Sequence, residues 1–169
     1  KMLFHNANNL VSLTLWRVDL PSEVPELPLL RELVISWSDR NHSLLILSKC
    51  KESLKCLVLI HSSLNDYPIT LPQLTDLFLV GKDLKFAKFI SYNHKSLEFI
   101  YLKDAYHDLI TSNGSVKLER VKTVVIKFSH GGKRMPKEDK ARIADLCPNA
   151  DILIWNKKNE DELEELGKK

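Results

Sequence analysis

The residue types best able to do chemistry in this 169-residue chain are its three cysteines and six histidines, and their spacing limits what that chemistry can be. Cys56 and His61 fall on one predicted strand and its exit, a pairing that invites a nucleophilic thiol with an imidazole drawing off its proton. The competing reading is a strand cysteine beside an apolar core, which is the commoner role for that residue type. His5, His42, His94, His107 and His130 are scattered, and no pair of histidines has the close helical spacing of a zinc motif. Cys50, Cys56 and Cys147 are odd in number and lack CxxC spacing, so reduced core thiols are expected. Gly131-Gly132-Lys133-Arg134 offers backbone donors to a phosphate but lacks the spacing of a P-loop, and it reads as an exposed basic loop. The expectation is therefore no catalytic residue, no metal, no cofactor and no enzyme.

Composition narrows the partners further. With 44% hydrophobic and 28% charged residues, the chain has apolar material for one full core, and residues 1–169 are expected to form a single domain. The 25 Lys and Arg against 22 Asp and Glu leave a net charge of +3, and without a local basic cluster this does not imply nucleic acid. No apolar run reaches the roughly 18 residues a membrane span needs, and no charged-then-apolar leader opens the chain. The acceptor patterns Asn41-His42-Ser43 and Asn113-Gly114-Ser115 are about what chance supplies, so a cytoplasmic or nuclear protein is expected. The start at Lys1, with no Met before it, suggests a piece of a longer chain.

The elements that must carry these residues follow a period. Leu-x-x-Leu-x-Leu/Ile occurs at Leu10-Leu13-Leu15, Leu30-Leu33-Ile35, Leu54-Leu57-Leu59 and Leu74-Leu77-Leu79. Roughly one strict match would arise by chance, whereas four follow one another at leucine-rich-repeat spacing. Looser copies at Leu97-Ile100-Leu102, Val121-Val124-Ile126 and Ala150-Leu153-Trp155 bring the count to about seven. A short strand alternates its side chains, so the fourth and sixth motif positions point inward and those between point out. One unit cannot bury that face alone, so units must stack. The predicted fold is α/β: a leucine-rich-repeat solenoid with a curved, one-sided parallel sheet, and helices and irregular extended segments on its convex side.

The returns are expected to differ. Residues 41–53 read as a helix with Leu44, Leu47 and Cys50 inward, and residues 85–95 as another with Phe86, Phe89 and Ile90 inward. A third follows Pro136, carries Ile143 and Leu146, and ends near Cys147-Pro148. Pro21, Pro25, Pro28, Pro68 and Pro72 preclude a regular helix over 20–28 and 64–72. Residues 105–118 hold only a weak turn signal at Asn113-Gly114, and their element is left open. Residues 157–169 read as a polar cap or an acidic docking tail, with Leu163 and Leu166 to pack.

Leu27-Pro28-Leu29-Leu30-Arg31-Glu32-Leu33, Leu71-Pro72-Gln73-Leu74-Thr75-Asp76-Leu77 and Cys147-Pro148-Asn149-Ala150 resemble the repeats of F-box/leucine-rich-repeat proteins, in which a helix commonly ends in Cys-Pro-Asn-Leu before the next strand. The resemblance runs from about Leu10 to Trp155. It implies a substrate-recognition domain of an F-box-type ubiquitin ligase subunit, docking to a Skp-type adaptor only if an F-box precedes this chain. The usual Asn or Cys at the ninth repeat position is replaced by Val18, Ser38, Ser62, Lys82, Ala105, Ser129 and Lys158, which argues against the extracellular receptor type. A structural scaffold or regulator unrelated to ubiquitin remains the alternative.

The outward positions define the candidate site. A central column on the concave face runs Thr14, Val34, Val58, Phe78, Tyr101, Val125 and Ile154; its neighbour runs Trp16, Ser36, Ile60, Val80, Lys103, Lys127 and Asn156. Such an apolar column marks either a protein partner's footprint or merely the strand preference of β-branched residues, covered or not by another segment. On the first reading Trp16, Val34, Val58, Ile60, Phe78, Val80, Tyr101, Lys103, Val125 and Lys127 bind the partner. Lys103 and Lys127 favour an acidic or phosphorylated one.

Overall fold

A computed structural model describes residues 6–18, 20–21, 23–37, 40–62, 64, 68–82, 84–111, 116–129 and 135–155. Among them lie seven five-residue strands: β1 (Ser12–Trp16), β2 (Glu32–Ser36), β3 (Cys56–Ile60), β4 (Asp76–Val80), β5 (Phe99–Lys103), β6 (Thr123–Lys127) and β7 (Asp151–Trp155). Four α-helices accompany them, α1 (Arg40–Lys49), α2 (Ala87–Asn93), α3 (Tyr106–Thr111) and α4 (Lys137–Leu146), after an initial 3₁₀ turn, Ala7–Asn9. The strands form one open parallel sheet in sequence order, β1 to β7.

Alternation explains the sheet's two faces. Leu33, Leu57, Leu77, Ile100 and Val124 face one another across neighbouring strands and are wholly buried, as are Ile35, Leu59, Leu79, Leu102 and Ile126 one pleat further on. Strands in register put like residues side by side, so each inner row is one continuous apolar band. A turn sets up several strands: the N–H groups of Leu30, Leu74 and Val121 donate to the carbonyls of Leu27, Leu71 and Leu118 at 3.0–3.2 Å. That turn tucks the first motif residue into the core, and Leu30, Leu54, Leu74, Leu97 and Val121 are all fully buried.

The returns close the core on that same face, since their apolar residues belong to the one buried cluster that includes the strands' inner rows. α1 buries Ile46 and Leu47, with Cys50 just beyond its end; Leu44, expected inward, is only half-buried. α1 stops at Lys49 rather than 53 because Cys50 begins a turn whose carbonyl takes the N–H groups of Ser53 and Leu54. α2 is likewise shorter than the expected 85–95 and buries Phe89 and Ile90, with Phe86 buried just before it. α4 begins directly after Pro136 and buries Ile143, while Leu146 is half-buried. Residues left open in the sequence form α3, which buries Tyr106 and Leu109. No helix occurs in the described parts of 20–28 and 64–72. The expected cap at 157–169 and the Gly131-Arg134 loop lie outside the described residues.

Each proline-rich return is tied to the helix beside it. The Leu27 N–H donates to the Lys49 carbonyl at 2.8 Å, and the Ser53 hydroxyl to the Leu30 carbonyl at 2.9 Å. At the corresponding place on α2, the buried Asn93 side chain does this work. Its Oδ1 accepts the Leu71 N–H at 2.7 Å, and its Nδ2 donates to the carbonyls of Ile69 (3.0 Å) and Phe89 (2.8 Å). A proline-rich segment cannot satisfy its own backbone through helical bonds, and here α1 and α2 supply partners instead.

The seventh unit corrects the sequence reading. Ala150 makes the expected turn, its N–H on the Cys147 carbonyl at 3.1 Å. But one residue fewer separates that turn from the strand, and Ile152 and Ile154, not Leu153 and Trp155, pair with the inner residues Val124 and Ile126. A slip of one residue exchanges the two faces of a strand. Ile154 therefore leaves the outward column, Leu153 takes its place, and Trp155 stands where Asn156 was expected. Among the described residues, no helix is long and apolar enough to cross a membrane.

Candidate functional site

The face of the sheet opposite the core carries three registered columns. The first runs Ser12, Glu32, Cys56, Asp76, Phe99, Thr123, Asp151; the second Thr14, Val34, Val58, Phe78, Tyr101, Val125, Leu153; the third Trp16, Ser36, Ile60, Val80, Lys103, Lys127, Trp155. All ten expected partner-binding residues lie in the second and third columns. Val34, Val58, Ile60, Phe78, Val80, Tyr101, Lys103, Val125 and Lys127 are half-buried by their strand neighbours. Trp16 and Leu153, at the two ends, are exposed at 60% and 51%. Trp16 lies four strands from Lys103, so the aromatic and the cations of one column are not one cluster.

The sheet's centre is aromatic. The Phe78 ring centroid lies 5.7 Å from that of Tyr101 and 5.3 Å from that of Phe99, both rings tilted to it. Phe99 was missed because the motif marks it only as the residue before Ile100. Lys103 and Lys127 are register partners at the adjoining edge. Ser36, expected outward and open, is wholly buried, because this small side chain is flanked by Trp16 and Ile60 in its column. Its hydroxyl has no hydrogen-bond partner among the described residues.

A further row at the strand exits escaped the sequence. Arg17, Trp37, His61, Gly81 and Asp104 all have positive φ. Their N–H groups donate at 2.8–3.0 Å to the last residues of the following strands, Ser36, Ile60, Val80, Lys103 and Lys127. The left-handed turn continues the inter-strand ladder one residue past each strand. Within the row, the Arg17 guanidinium lies 5.1 Å from the Trp37 ring centroid, and the Trp37 and His61 rings stack at 4.3 Å. Glycine favours this backbone region and Asn, Asp and His are enriched in it, so Arg17 and Trp37 gave no signal for it.

The tempting catalytic pair is not assembled. Cys56 opens β3 and His61 follows its end, a separation of roughly 17 Å along an extended strand. Burial pushes the Cys56 thiol up to about 11, and the carboxylates of Asp76 and Glu32 on the flanking strands push the same way. A thiol so held stays protonated and is a poor nucleophile at neutral pH. Cys50 and Cys147 are buried, with thiols raised by burial to about 12 and about 11. Among the described residues, no three His, Cys, Asp or Glu side chains converge as a metal site.

No protein-family model matches this chain, and neither a curated protein nor a solved structure matches it.

Proposed function

We propose that the chain is a leucine-rich-repeat solenoid whose open sheet face captures a protein partner, and that it serves as the substrate-recognition domain of an F-box-type ubiquitin ligase subunit. The observation that carries the reading is the open face itself. It offers a half-buried apolar band with the Phe78, Phe99 and Tyr101 rings at its centre and paired lysines at its edge. Rigid aromatics in the middle of an apolar patch are typical anchors at interfaces, and the Lys103-Lys127 pair favours an acidic or phosphorylated ligand. The chemistry of ubiquitin transfer belongs to other subunits, and this chain contributes binding. The ligase assignment adds support from the sequence phrases around Leu27, Leu71 and Cys147.

The test is capture of partners by Phe78→Ala, Tyr101→Ala and Lys103→Glu variants, with circular dichroism to verify folding. The alanine variants should lose most capture, and the charge reversal should change which partners are held. Unchanged capture by all three folded variants would remove the open face as the site. Co-purification of the natural full-length protein with a Skp-type adaptor tests the ligase assignment; its absence would favour a scaffold unrelated to ubiquitin.

A further inference from the structure

We propose that the open face seats an extended segment of its partner with a fixed polarity of charge: a basic, an apolar and an acidic residue at alternate positions, over the first, second and third columns in turn. Such a segment presupposes that the open face is the partner's seat, and its pattern adds the chemistry that is read there.

The outward side chains sort by sign along the strands. The first column holds Glu32, Asp76 and Asp151 and no cation, and the third holds Lys103 and Lys127 and no acid. Between them lies the apolar second column with Phe78 and Tyr101. Among the described residues, none of Glu32, Asp76, Asp151 and Lys103 is in an ion pair. Asp76 accepts the Thr75 hydroxyl at 2.6 Å, a neutral donor that leaves its charge in place. Asp104, next after Lys103, accepts the Ser129 N–H at 2.9 Å. Arg31 and Lys55 stand exposed at the entry rim, one residue before β2 and β3, yet the field within the first column is negative. Cys56 lies in register between Glu32 and Asp76, and its thiol is pushed up by burial first and then by those two carboxylates, with no cation acting the other way.

Spacing selects the form of the segment. Asp76 registers with Phe99, and Lys103 lies four residues further along β5, about 13 Å at about 3.3 Å per residue. An extended peptide rises by the same increment and turns alternate side chains to one face, so its residues i, i+2 and i+4 fall over the three columns. A helix would need about nine residues for that span and would turn most of the side chains between away from the sheet. Charge pairs across an interface set register and exclude wrong partners more than they add affinity. The acids and lysines therefore fix how the segment lies, while the Phe78 and Tyr101 rings hold its apolar residue.

The experiment titrates the intact chain, followed by NMR, with two isomeric peptides. One carries lysine, leucine and aspartate at alternate positions with threonines between; the other has the same composition with lysine and aspartate side by side. The alternating peptide should bind about fivefold tighter, an advantage that shrinks in about 1 M salt. Folded Asp76→Lys and Lys103→Glu variants should each lose that advantage. The double variant turns the dipole round, so the peptide can lie in the opposite direction, and it should regain part of what either single change removes; damage to the fold would not be repaired in this way. Equal binding of the two isomers, an advantage kept by both single variants, no recovery in the double variant, or no saturable binding would each overturn the proposal. Phe78→Ala tells the two failures apart. If it weakens isomers that bind equally, the open face stands and the polarity falls; if neither isomer responds to it, the open face itself falls.

Discussion

The two faces of the same seven strands obey different rules. On the inner face, Leu33, Leu57, Leu77, Ile100 and Val124 repeat one chemistry at complete burial. On the outer face, the registered neighbours change from Thr14 through Val58 and Phe78 to Val125 and Leu153, and the adjoining column changes from Trp16 to Lys103 and Lys127. Stacking dictates the first face, because every unit must present the same apolar surface to the next. It leaves the second free to vary, so the outer face is where the repeat is broken. The sharpest way to break the comparison is to truncate each face. Leu57→Ala or Leu77→Ala should cost about 2–5 kcal/mol in urea unfolding, through lost burial and a residual cavity. Thr14→Ala, on the exposed face, should stay within about 0.5 kcal/mol. Similar losses at the three positions would mean that the faces do not differ in kind.

A smaller effect sharpens the contrast within the core. Asn93 is polar yet only 1% exposed, and two of its hydrogen bonds, with Leu71 and Ile69, tie a proline-rich return to α2, while a third stays within the helix at Phe89. Asn93→Ala should cost about 1–3 kcal/mol, since the buried Leu71 N–H is left without its acceptor. The equivalent tie at α1 is less exposed to such a loss. There the Leu27 N–H already has a backbone acceptor at Lys49, and the Ser53 hydroxyl only adds donors to carbonyls. Ser53→Ala should therefore be the milder variant in thermal unfolding. If Ser53→Ala proved the more damaging, the hydroxyl rather than the backbone bond would be the tie at α1.

How much of this was readable beforehand follows from the same contrast. The inner rows were legible because burial enforces one residue type at fixed offsets, and the first six strands fall where the Leu-x-x-Leu-x-Leu pattern puts them. The seventh was misphased because Ala150, Leu153 and Trp155 satisfy the offsets as well as Ile152 and Ile154 satisfy the strand. The missing residue shows in the strand register and in the hydrogen bonds that the Ala150 and Asp151 N–H groups donate to the Cys147 and Lys122 carbonyls. α3 was obscure because six residues hold less than two turns of periodicity. Of the outer face, the column members were legible for six strands, but their mutual shielding was not. The Arg17-Trp37-His61 stack depends on a left-handed turn that arginine and tryptophan do not announce. A cavity of about 440 Å³ at the ends of β4, β5 and β6 was invisible, since lining residues such as Lys82, His107 and Phe128 are separated in the chain and come near one another only when parallel strands align their ends.

The smallest expected effect lies at the solvent-reached rim, at Glu98 just before β5. Its carboxyl is held below the ordinary carboxylate range, first by the hydrogen bond from Lys122 and its charge, and further by Arg120 at 3.3 Å. The ionised form is thus favoured in the folded chain over the unfolded one. Whatever stability this gives is fully present above the unfolded carboxyl value of about 4.3 and is lost as pH falls through the lower folded value. Because water reaches the group and salt screens it, the gain at neutral pH should be well below that of either buried change above. Comparing the wild-type chain with Glu98→Gln in urea unfolding from pH 7 down to pH 3 should show a small advantage for the wild type that shrinks toward acid and shrinks again in about 1 M salt. An advantage that grew as the pH fell would require Glu98 to bind its proton more tightly when folded, which its two cationic neighbours forbid.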